Sequence, residues 1–194
     1  MGLTMRELCP EPELPRWFAL TTKYQHELAV EAALCSAGVE TFCPAYRVRR
    51  RWSDRVKEIN LPLFPGYVFG RFPFVDRGRV LKTPGVAQIV GFGGIPCPLP
   101  DREIEDIRTA LTSNLPVLPW ADVRAGDRVR IERGPLQGIE GIVLREKAGL
   151  RLVIGVELLR RSISVELDAE AVSALKAGRS ASNSFARNEE ACLF

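Results

Sequence analysis

An α+β domain followed by an all-β domain is the architecture this sequence predicts, and three observations predict it. Residues 16–111 interleave short apolar runs with segments of helical period, the pattern of an antiparallel sheet flanked by two or three helices. Residues 112–123 hold Pro116 and Pro119 and nothing periodic, which reads as a linker. Beyond it, residues 124–173 alternate at period two with turn residues at Gly134-Pro135, Gly138 and Lys147-Ala148-Gly149, so every element there is a strand.

The elements follow in order. Residues 1–15 are rich in Pro and Glu and are expected to be disordered. Trp17-Phe-Ala-Leu-Thr-Thr22 is a buried strand. Residues 25–37 carry Leu28, Val30, Ala32, Ala33 and Leu34 at mostly helical spacing, and Gly38 stands where a C′ glycine ends a helix. A strand over 39–43 precedes runs at 46–52 and 56–59 around Ser53-Asp54, an extended basic hairpin. Phe64-Pro65-Gly66 leads into a strand over 67–72. A short helix over 75–82, despite Gly78, ends at the turn Thr83-Pro84-Gly85, and a strand spans 86–90. The cluster Gly91-Phe-Gly93-Gly94 is taken as a loop. Residues 101–111 place Ile104, Ile107 and Leu111 on one helical face. Strands are expected at 128–132, 138–145, 150–157 and 163–167. The Ala-, Ser-, Arg- and Asn-rich end, residues 174–194, is expected to be a disordered tail.

Composition narrows the function classes. Hydrophobic content of 46% and charged content of 26% over 194 residues are ordinary for a globular protein of one or two domains. No apolar run approaches the roughly 18–20 residues of a membrane span, and the first 15 residues hold three glutamates and no apolar core, unlike a secretory signal. Five cysteines without a C-x-x-C pair and a single histidine, His26, argue for reduced thiols in a cytoplasm and against a metal site. No phosphate-cradling G-x-x-x-x-G-K-[ST], no G-x-S-x-G and no His pair is present, so no enzyme and no cofactor is expected. The net charge of +3 is uneven: residues 46–58 hold six cations and two anions, residues 124–173 nine and eight. The basic field belongs to the first half.

The spacing Gly126, Gly134-Pro-Leu-x-Gly138-x-x-Gly141-x-Val143 resembles the KOW motif, which marks small SH3-like barrels of elongation factors and ribosomal proteins. Its four glycines are read as turn and close-packing residues. Upstream, Trp17-Phe18-Ala-Leu, Pro62-Leu-Phe-Pro-Gly-Tyr-Val-Phe69 and Thr83-Pro-Gly-Val-Ala-Gln-Ile-Val-Gly-Phe92 stand in the order of the NusG family of transcription elongation factors. The segment Arg49-Arg-Arg-Trp-Ser-Asp-Arg-Val-Lys-Glu58 is similar to its specialised paralogues of the RfaH and UpxY type. The likeness spans 16–111 and 124–173.

The resemblance implies an N-terminal domain that binds bacterial RNA polymerase at the clamp helices, bridges the cleft and suppresses pausing and termination. It implies a KOW domain that docks Rho or a ribosomal protein, in a protein expected to be monomeric. Phe64, Pro65 and Tyr67 with Trp17 and Phe18 form an aromatic patch suited to a coiled-coil tip, to which the third block adds Thr83 and Val86. Alternation along the strand puts Val68 and Phe72 on the side away from Tyr67. Arg47, Arg49, Arg50, Arg51, Arg55 and Lys57 are candidates for phosphates of the upstream duplex or the non-template strand, with Trp52 as a stacking surface. Lys23, with Tyr24 and His26, is a second candidate contact: a lysine aligned with Lys23 serves RfaH's DNA element. The other DNA-reading positions fall here on Ala33, Ser36 and Pro84, so recognition of that element is not implied. The near-neutral second domain favours a protein ligand, with Leu136, Leu158 and Leu159 as exposed apolar candidates. Two alternatives stand beside this reading: a general NusG-like elongation factor, and a ribosome-associated, RNA-binding KOW protein.

Overall fold

The computed structural model describes residues 12–51, 56–120, 127–131, 134–146, 149–167 and 175–177. Its strands are β1 (Pro15–Thr22), β2 (Glu40–Phe42), β3 (Ala45–Arg51), β4 (Val56–Pro62), β5 (Tyr67–Pro73), β6 (Val86–Ile89), β7 (Gly91–Phe92), β8 (Ile95–Pro96), β9 (Val117–Trp120), β10 (Asp127–Ile131), β11 (Glu140–Glu146), β12 (Gly149–Val156), β13 (Arg161–Leu167) and β14 (Leu175–Ala177). The helices are α1 (Glu27–Ser36), α2 (Arg77–Leu81) and α3 (Asp101–Thr112), with 3-10 turns at Phe74–Asp76 and Glu157–Leu159. The described residues divide into two compact units, one made of residues 12–43 and Gly66–Asp101, the other of Pro44–Pro65 and the described residues between 102 and 177. The basic hairpin, and α3 from Arg102 on, group with the C-terminal strands.

In the first unit an antiparallel sheet runs β2-β5-β1-β6. The β1–β5 register sets Phe18 opposite Gly70, Leu20 opposite Val68 and Thr21 opposite Tyr67. Because facing residues share a side of the sheet, Phe18, Leu20, Val68 and Phe72 point together into a core with Val30 and Leu34 of α1, Phe74 and Val80. Phe18 and Phe72 stack there with centroids 4.8 Å apart. The opposite side carries Trp17, Ala19, Tyr67 and Phe69, and the first, second and fourth of its β1 and β5 neighbours are no less deeply buried: Trp17, Ala19 and Phe69 are all buried.

α1 is apolar nearly all round, yet it buries only Glu27, Val30 and Leu34, and Leu28 is exposed. Gly38, at φ +80, follows it in the left-handed conformation that closes a helix. The guanidinium of Arg79 adds a second cap by donating to the Ala37 carbonyl at that C-terminus. Gly91-Phe-Gly93-Gly94 is not a loop. β7 and β8 pair as a tight hairpin, with Gly93 and Gly94 both at positive φ, the requirement of a type I′ turn.

The second unit holds a six-stranded antiparallel sheet of order β14-β10-β11-β12-β13-β9 and the two-stranded hairpin β3-β4. Its core draws on Ile131, Leu136, Ile139, Leu152, Ile154, Ile163 and Val165. Two flanking strands correct the sequence reading. Val117–Trp120, expected to be linker, pairs with β13, and Leu175–Ala177, expected to be tail, pairs with β10. β9 lies at the sheet edge, where Pro119 without its N–H is tolerated. Leu136 is buried, so it is a core residue and not an exposed docking candidate, whereas Leu158 and Leu159 are half-buried.

Candidate functional site

Two Pro-Gly turns converge on the β1–α1 connection. Gly66 (φ +84) and Gly85 (φ +93) occupy the left-handed region that only glycine enters freely, as the residue after Pro in a type II turn must. The Val86 amide donates to the Thr83 carbonyl at 3.2 Å and closes the second turn. Successive amides of the connection then reach out to both: Thr22 N–H donates to Gly66 O and Lys23 N–H to Gly85 O, each at 2.9 Å. Tyr67 and Val86 therefore begin the strands on either side of β1, in one lateral row with Thr21 and Thr22.

Around this row the connection itself is solvated. Lys23, Tyr24, Gln25 and His26 are exposed, Tyr24 at 85%. Gln25 holds φ +58, an uncommon conformation for a residue with a side chain, and the His26 ring donates from Nδ1 to the Tyr24 carbonyl at 2.8 Å. Gly85 packs directly on α1: a Cβ added there would stand 2.7 Å from Val30 Cγ2. Beneath, Glu27 is nearly buried at 8% exposure, and its Oε1 accepts from the Gly66 amide at 2.8 Å. One turn on, Glu31 Oε1 accepts from the Cys43 amide at 3.0 Å. Burial, then the charges of Glu31 and Glu27, push the Cys43 thiol up to about 12, so this cysteine is an inert thiol near neutrality.

The proposed polymerase contacts separate under this geometry. Pro65 is exposed, and Tyr67, Thr83 and Val86 are half-buried and accessible. Trp17, Phe18 and Phe64 are buried, and Phe18 lies in the core against α1, on the side away from Tyr67. An exposed aromatic patch built from all of them is therefore not what the fold presents. The sequence reading missed Glu27 and Glu31. A glutamate in a first helical turn is an ordinary sequence feature, and its partner Gly66 lies 39 positions away.

The basic hairpin sorts its charges by register. Arg47 faces Asn60, Arg49 faces Glu58 and Arg51 faces Val56, which puts three arginines on one side at intervals of two residues, about 6.8 Å. The other side carries Tyr46, Val48, Ile59 and Leu61, with Arg50 opposite Lys57 toward the tip. All five of these cations are exposed. Arg49 Nε donates to Glu58 Oε1 at 2.9 Å, and this bond, then the charges of Arg49 and Arg47, holds the Glu58 carboxyl below the usual carboxylate range. Trp52 and Arg55 lie outside the described residues, as does Gly126. In the C-terminal sheet Gly134 and Gly138 both sit at φ +89, and a Cβ on Gly141 would meet the Val153 carbonyl oxygen at 2.5 Å. Among the described residues no group of three or more His, Cys, Asp or Glu is placed to hold a metal ion, and no helix is long and apolar enough to cross a membrane.

The family model for "Transcription termination factor nusG" matches residues 15–108. The Transcription termination/antitermination protein NusG of Lactococcus lactis subsp. lactis (strain IL1403) is 30% identical over 175 residues, covering 83% of this chain and 94% of its own length. The protein of that name from Deinococcus radiodurans is 31% identical over 131 residues, 58% of this chain and 69% of its own. Among solved structures, Thermotoga maritima NusG is similar at a TM-score of 0.48 and 24% identity, over 86% of this chain and 98% of that one.

Proposed function

Because the chain belongs to the NusG family of transcription termination and antitermination proteins, we propose that it binds bacterial RNA polymerase during elongation and suppresses pausing and termination. The observation that carries this reading is the 30% identity to a Lactococcus lactis relative of that name across 94% of its length. The reading is non-enzymatic, metal-free and cofactor-free, and places the protein in the cytoplasm as a monomer. The polymerase clamp helices would meet the row at the two Pro-Gly turns, through Tyr67, Pro65, Thr83 and Val86. An aromatic ring with its hydroxyl at the rim of a turn suits an interface anchor. Upstream duplex or non-template DNA would lie along Arg47, Arg49 and Arg51, whose spacing presents one guanidinium after another to a phosphate chain. The C-terminal sheet, read as an SH3-like KOW barrel, would dock Rho or a ribosomal protein.

The narrower reading, a paralogue of the RfaH or UpxY type acting on few operons, rests on the arginine-rich segment 49–58. Mapping nascent transcripts with and without the protein separates the two. Changes confined to one or a few long operons favour the paralogue, and genome-wide changes the general factor. The polymerase contact is tested with Tyr67→Ala, whose side chain is half-buried and outside the α1 core. Its retention on core polymerase should fall at least about tenfold, the loss of one hot-spot aromatic. Undiminished retention, or co-purification of the wild-type chain with ribosomal subunits in place of polymerase, overturns the assignment.

A further inference from the structure

The segment Pro44–Pro65, which carries the basic hairpin, leaves the first unit after Cys43 and returns to it at Gly66. Both of those residues are tied to α1 by the same device. Glu31 Oε1 accepts the Cys43 N–H at 3.0 Å, and Glu27 Oε1 accepts the Gly66 N–H at 2.8 Å. The two glutamates stand at i and i+4, so a single helical face presents both carboxylates one turn apart. A carboxylate bonded to a backbone N–H is a charge-assisted bond, roughly twice as strong as a neutral one. Glu27 in addition sits in the first turn of α1, where the helix dipole favours a negative charge. The hairpin base is closed independently by Leu63 N–H donating to Pro44 O at 2.8 Å. The apolar packing of α1 is supplied by Val30 and Leu34, and the cost of desolvating the Glu27 charge is offset by its bond from the Gly66 N–H.

We propose that Glu27 and Glu31 are positioning residues that clamp both roots of the Pro44–Pro65 hairpin to α1, so that its arginines meet nucleic acid as a preorganised row. A long two-stranded ribbon has little stability of its own, and fixing its two points of attachment removes the freedom that binding would otherwise have to quench. Pinning only one root leaves a swivel. Pinning both holds Cys43 and Gly66 on one helical face. The consequence for nucleic acid rests on the function proposed above; the clamp itself does not.

The test uses the full chain and two double variants, Glu27→Ala/Glu31→Ala and Glu27→Gln/Glu31→Gln, the latter retaining an acceptor oxygen at both positions. Nitrogen-15 relaxation reads the backbone order of Val48 and Ile59 in the hairpin against Leu20 and Val68 in the sheet. The alanine variant should lower the hairpin order parameters from about 0.85 toward 0.6 while the sheet stays rigid, and the glutamine variant should restore them. Affinity for a DNA duplex and for a single strand of the same sequence should fall about three- to tenfold in the alanine variant and recover with glutamine. The slope of log affinity on log salt should be unchanged, because the same phosphates are met. Hairpin order equal to wild type in the folded alanine variant overturns the clamp. If the alanine pair does not fold, the single variant Glu31→Ala, at a half-buried position, decides by the same measurement. A wild-type chain that binds neither DNA refutes the role assigned to the arginines, and the relaxation data then still decide the clamp alone.

Discussion

Gly85 concentrates several demands in one residue. It holds φ +93, its carbonyl accepts the Lys23 amide, and a Cβ would stand 2.7 Å from Val30 Cγ2. Gly38 shares the positive φ, at +80, but faces open space. Gly85→Ala should therefore add steric displacement of a core valine to backbone strain and lose about 2–4 kcal/mol, against about 1 kcal/mol for Gly38→Ala. Urea unfolding of the two variants checks this, and equal losses would show that Val30 yields freely. Contacts of this kind explain what the sequence could and could not disclose about single residues. The Pro-Gly pairs were legible as turns because proline and glycine restrict the backbone locally. The strand from Trp17 was legible as buried, but that Trp17 and Phe18 are thereby both withheld from an exposed aromatic patch was not, since alternation alone does not show whether one side or both are covered. Truncating Phe18 would cost about 3–5 kcal/mol, so loss of partner binding on its removal would report unfolding and not a contact.

At the scale of elements, α3 shows how a helix legible from its apolar face acquires an illegible polar contact. Ile104 and Ile107 are buried as their spacing requires, with Ala110 in place of the expected Leu111. On the same helix Glu103 Oε1 accepts the Glu157 amide at 3.4 Å, while its Oε2 is buried without a hydrogen-bond partner. Burial is the main cause that raises this carboxyl to about 7, the Glu157 amide opposes the rise, and the charges of Glu157 and Asp106 add to it. Asp106 is itself raised by burial, with Arg102 opposing and Glu140 and Glu105 adding. A raised carboxylate pKa means that the folded chain holds a proton which the unfolded chain releases above about pH 4.5. The stabilisation tied to Glu103 is therefore complete below pH 4.5 and is lost as pH rises through about 7. Glu103→Gln keeps a neutral side chain at every pH. It should match wild type near pH 4.5 and exceed it by about 1–3 kcal/mol at pH 8, a range set by about 1.4 kcal/mol per pKa unit and discounted for partial solvent access. Thermal unfolding at the two pH values measures the difference, and a pH-independent offset contradicts the assignment. β9 and β14 escaped the sequence reading for a related reason. Pro116 and Pro119 mask a four-residue edge strand, and a three-residue strand is too short to show a period.

Across the whole molecule the sequence disclosed the kinds of element in each half and the uneven charge, because periodicity and charge are local sums. The grouping of Pro44–Pro65 with the C-terminal strands depends on contacts far apart in the chain, which no local pattern encodes. The charge distribution makes the last prediction. Six cations against two anions in residues 46–58, within a chain of net +3, mean that the hairpin should carry nearly the whole salt dependence of nucleic-acid binding. Each phosphate contact contributes about −0.9 to the slope of log affinity on log salt for duplex DNA, and about −0.7 for a single strand. Arg47→Ala/Arg49→Ala/Arg51→Ala removes the three-arginine side of the ribbon and should flatten the slope by roughly 2–3. The matched control is Arg130→Ala/Arg160→Ala/Arg161→Ala, which removes the same charge from three exposed positions in the near-neutral C-terminal region and should leave the slope unchanged. Fluorescence anisotropy titrations from 50 to 200 mM salt on the order of those used for DNA-binding proteins resolve such a change. Equal flattening by both triples would mean that the protein binds through its overall charge, and the ordered row on the hairpin would then have no special part in recognition.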